Sequence, residues 1–119
     1  MTGPENATAA AERAAEEWRA AVLRQRWATP DHSDFYAFGG ELVDGLMSVQ
    51  NLANVLRGQV AGYADGRRLY DDTYEIEPAL RLAEAADDLA QLGAALGSAI
   101  RAANRFWSSI GHIGEEVDR

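Results

Sequence analysis

The 119 residues include no cysteine, which excludes both a disulfide framework and a thiolate metal site. Lysine is also missing. Every cationic side chain is an arginine, a bias that matches the codon usage of a GC-rich genome. Aromatic residues make up only 8% of the chain, so a large aromatic core is not expected, and much of the apolar fraction is alanine. The uncharged stretch LAQLGAALGSAI, Leu89 to Ile100, is well short of the ~20 apolar residues that a membrane span needs. The opening segment MTGPENATAAAERAAEEW has neither the basic start nor the leucine-rich centre of a signal peptide. The expectation is a cytoplasmic protein.

What is present is acidic and helical in character. The formal net charge is −8, which opposes association with nucleic-acid phosphates or an anionic membrane surface. No direct nucleic-acid or membrane binding is expected. The length suits one domain, 1–119, large enough to bury about two thirds of its unfolded surface.

Apolar spacing predicts three helices, at about 8–28, 34–64 and 78–111, after a disordered segment 1–7. Thr8 is a candidate cap for the first, and Pro30, which disfavours helical geometry at Thr29, ends it. In the second, Phe35, Phe38, Leu42, Leu46, Val49, Leu52, Leu56, Val60 and Tyr63 recur at steps of three or four, one stripe of an amphipathic helix. Asp65-Gly66 is the expected stop. Pro78 fits the first turn of the third helix, whose stripe runs from Leu82 through Leu89, Leu96 and Ile100 to Trp107 and Ile110. The connector 65–77 reads as an ordered loop. These elements specify an all-α fold: a small helical bundle made of a long antiparallel helical hairpin plus one N-terminal helix. With Ala64 opposite Pro78, the register predicts Gly45 against Gly97, Val49 against Gly93, and Phe35 against Trp107.

Two features of this pattern bear on function. Gly93 and Gly97 interrupt the third helix at a cost of ~1 kcal/mol each. Around them Ala90, Ala94, Ala95, Ser98 and Ala102 cover sides where an exposed helix normally carries charge. A helix that is small or apolar all round is usually buried all round, and one hairpin cannot surround it. Trp27 lies on a different edge of the first helix from Trp18 and Val22. Trp27, Ala90, Gly93, Ala94, Ala95, Gly97, Ser98 and Ala102 are therefore the candidate interface, for a second copy of the chain or a heterologous helix. The second feature is the connector, where Tyr70, Asp71, Asp72, Tyr74, Glu75 and Glu77 form a candidate acidic contact loop that could imitate phosphates and bases in a partner's basic groove.

Reactive constellations are not found. The serines at 33, 48, 98, 108 and 109 fall in helical sequence without the sharp turn that exposes an attacking hydroxyl. Glycines sit inside helices and not between a strand and a helix, which excludes a phosphate-cradling loop. His112-x-x-Glu115 is half of a carboxylate and histidine metal motif, but the inward stripes of both long helices supply no carboxylate to complete it. No catalytic residue, cofactor or metal is expected. The reading is a noncatalytic, self-associating interaction or assembly subunit, the alternative an acidic regulator of a basic groove, and a small-ligand or metal-binding bundle ranks behind both.

Overall fold

A computed structural model describes residues 3–117. It consists of α1 (Gly3–Arg26), α2 (His32–Ala61) and α3 (Pro78–Gly111), with no strand among the described residues. The chain divides into two compact units, Met1–Asp31 and His32–Arg119. The fold is the expected all-α hairpin with an N-terminal helix.

α1 begins at Gly3, ahead of Thr8. Pro4 falls in the first turn, where its fixed φ suits a helix and its missing N–H leaves no bond unmade. Met1 and Thr2, the start of the segment expected to be disordered, lie outside the described residues. Along α1 the apolar side chains stay open, Trp18 at 40% exposure, Val22 at 54% and Leu23 at 56%.

The second unit is the α2–α3 hairpin. α2 ends at Ala61, three residues before the expected boundary, because the chain leaves the helix through successive tight turns: Tyr63 N–H donates to Val60 C=O and Asp65 N–H to Gly62 C=O, each at 3.2 Å. Gly66 closes the series at φ +71°, a left-handed conformation that glycine adopts without steric cost. α3 spans the residues its pattern predicts. Pro78 occupies its first turn behind an extended Glu77.

The register differs from expectation by about one helical turn, and the reason is a tryptophan. Trp107 packs into a notch left by Gly39 and Gly40: a Cβ built on Gly39 would stand 2.6 Å from the indole Cδ1 and 2.9 Å from Cγ, and one on Gly40 3.2 Å from Cζ2. Its ring also meets Tyr36 at 5.7 Å between centroids. Phe35, the partner expected for Trp107, is instead 37% exposed. Gly93 and Gly97 do not meet Val49 and Gly45 either. Gln50 Nε2 donates to Gly93 C=O at 3.0 Å and passes 3.4 Å from where a Gly97 Cβ would be.

The seam on α2 therefore follows Gly39, Gln50 and Ala53, a line of small and amide residues. At 100° per residue this line lies roughly a quarter turn around the helix from Leu42, Val49 and Leu56. Leu42, Val49 and Leu56 thus flank the contact with α3, while Leu46, which falls on the seam line, is half-buried. Ala53, at 3% exposure, is the one buried apolar side chain among the described residues.

Candidate functional site

Since the seam is narrow, much of what the hairpin offers lies on its two broad sides. One side is a shallow groove in which Asn54, Arg57, Gly58 and Ala61 of α2 face Ala83, Ala86 and Asp87 of α3. Its lining is polar or small. The apolar stripe of α2 lies a quarter turn the other way. On α3 the line of Leu92, Leu96, Ala103 and Ile110 is displaced from Gly93 in the corresponding sense, and because the helices run antiparallel, with Gly39 against Trp107 and Gln50 against Gly93, both stripes come to the same side. Leu42 at 39% exposure, Val49 at 48%, Leu52 at 47%, Leu56 at 38% and Leu92 at 45% form its open surface, with Leu96, Ala103 and Ile110 half-buried between them. None of these residues is ionisable.

The residues singled out from the sequence divide into three groups. Ala90, Gly93 and Gly97 belong to the intrachain seam: Gly93 is buried, and Ala90 and Gly97 are half-buried. Ala94, Ala95, Ser98 and Ala102 are exposed and project away from α2, where Ser98 Oγ accepts from an Arg101 guanidinium nitrogen at 3.0 Å. Trp27 follows the last turn of α1 at 84% exposure. The larger apolar surplus is not evident from spacing alone, since Leu42, Val49 and Leu56 fit the seam pattern equally well. A signal existed: the glycine pair Gly39-Gly40, one turn from Phe35 and Phe38, marks where a bulky side chain can press against the backbone.

The connector is built around one carboxylate. Asp71 is 9% exposed, and its Oδ1 accepts from Arg81 Nε at 2.7 Å. Oδ2 accepts from the Thr73 N–H at 3.1 Å and from the Thr73 hydroxyl. These bonds favour the charged form, Thr73 most and Arg81 next, and hold the carboxyl at about 2, below its ordinary 3.8; the same pairing raises the Arg81 guanidinium. Asp71 is consequently a staple from the connector to α3, with both oxygens occupied. The geometry turns the neighbouring residues outward. Tyr74 N–H donates to Asp71 C=O at 2.9 Å, and Tyr74 takes φ 58°, a conformation uncommon for a bulky residue. Its ring then stacks on Tyr70 at 5.7 Å and 12°, with the two tyrosines 79% and 73% exposed. Asp72, Glu75 and Glu77 surround them in the open.

Arg67 sits 4.2 Å above the Tyr63 ring beside a groove of about 520 Å³ that reaches Leu69, Pro78 and Leu82. Trp107 Nε1 is buried without a hydrogen-bond partner within the chain. Among the described residues no helix is long and apolar enough to cross a membrane, and no three His, Asp or Glu side chains are placed to hold a metal ion. No family model, no curated protein and no solved structure matches the chain.

Proposed function

We propose that this chain is a noncatalytic interaction or assembly subunit of the cytoplasm, presenting the apolar side of its α2–α3 hairpin to another helical surface. The observation that carries this reading is the run of half-exposed Leu42, Val49, Leu52, Leu56 and Leu92 on one side of the hairpin. Patches of that kind on a folded domain mark sites of protein contact more often than free surface. A half-covered leucine gains from a second layer, at roughly 25 cal/mol for each Å² of apolar area removed from water. The test is light scattering on the purified chain combined with recovery of partners from its native host, repeated with Leu52→Glu. The reading expects an assembly, with itself or another protein, that Leu52→Glu weakens. A monomer at high micromolar concentration that recovers no partner sensitive to the substitution refutes it.

A second reading is favoured by the stacked, outward Tyr70 and Tyr74 beside Asp72, Glu75 and Glu77. In it the connector enters a basic groove of a partner, with arginines of that groove packing on the tyrosine rings and pairing with the carboxylates. Asp71 takes no part, since its oxygens are engaged by Thr73 and Arg81. This reading expects association that weakens with salt and is lost when Asp72, Glu75 and Glu77 are neutralised together. Unchanged affinity in that variant rules it out.

A further inference from the structure

We draw no further inference here: the strongest candidate, the apolar side of the α2–α3 hairpin around Leu52, Leu56 and Leu92, is shared by exposed Asp34, Glu41, Arg81 and Asp88, and nothing in the structure shows what covers it.

Discussion

Two glycine-to-alanine substitutions of identical chemistry are expected to act in opposite directions. At Gly39 the added methyl would stand 2.6 Å from Trp107 Cδ1, 2.9 Å from Cγ and 3.0 Å from Cβ. These atoms form the root of the indole and not the free end of a flexible chain, so the ring must leave its rotamer or the helices must separate. Overpacking of this kind costs about 1–3 kcal/mol, and alanine returns ~1 kcal/mol of helix propensity. The root-atom contact places the cost toward the upper end, for a net loss of about 1–2 kcal/mol. At Gly93 the nearest atom to a new Cβ is Asn54 Oδ1 at 3.5 Å, an ordinary contact. Gly93→Ala should therefore keep most of the propensity gain, about 0.5–1 kcal/mol of stabilisation. Equilibrium urea unfolding followed by far-UV circular dichroism reads both variants, at one fixed protein concentration because association contributes to apparent stability. Should Gly39→Ala match or exceed the wild type, the Trp107 notch does not set the register of the hairpin.

Other expectations follow from single contacts. Gln50→Ala removes the 3.0 Å bond to Gly93 C=O and should cost about 0.5–1.5 kcal/mol in the same unfolding assay; no loss would show that this bond is not what holds the middle of the seam. Asp71 is held at about 2 against an ordinary 3.8, so the folded connector favours the carboxylate. Its contribution is complete above about pH 4 and disappears as pH falls through about 2. Near-UV circular dichroism of the tyrosines should show the wild-type connector loosening over that window. Asp71→Asn should already be loosened at pH 5 and show a flat acid limb. An acid transition unchanged in that variant would remove Asp71 from its role as staple.

The hairpin was legible in the sequence because its signals are local. Pro78 and the three-four spacing of leucines specify α3 without reference to anything distant, and Gly66 with its positive φ stops the turn series after α2 where the Asp-Gly pair predicts. The use of each helix face was less legible. Periodicity locates an apolar stripe, yet it carries no information on whether that stripe meets another part of the chain or another molecule. Close approach of two helices is decided by small residues, and on α2 those are Gly39 and Gly40 against Trp107 and the buried Ala53. The alanines at 94, 95 and 102 are ambiguous for a related reason: alanine is the best helix former in water as well as in a core, so its presence does not distinguish a side meant for a partner from a solvated one. In the connector, composition revealed the acids but not their division. Asp71 differs from Asp72 only through Thr73 two residues on and Arg81 ten residues on, and that pairing exists only after the chain has turned into α3.

The central claim is that the α2–α3 seam leaves one apolar side open for the contact through which the chain assembles. Hydroxyl-radical labelling of the intact chain, read residue by residue at about 1 µM and about 200 µM, tests it most directly, since a surface covered by self-association is protected only at the higher concentration. Leu80, on α3 at 63% exposure, serves as the internal reference. The account predicts that labelling of Leu52, Leu56 and Leu92 falls sharply with concentration while Leu80 and Ala95 stay constant. Equal labelling of the three leucines at both concentrations, in a chain whose mass has doubled, would show that another surface forms the contact.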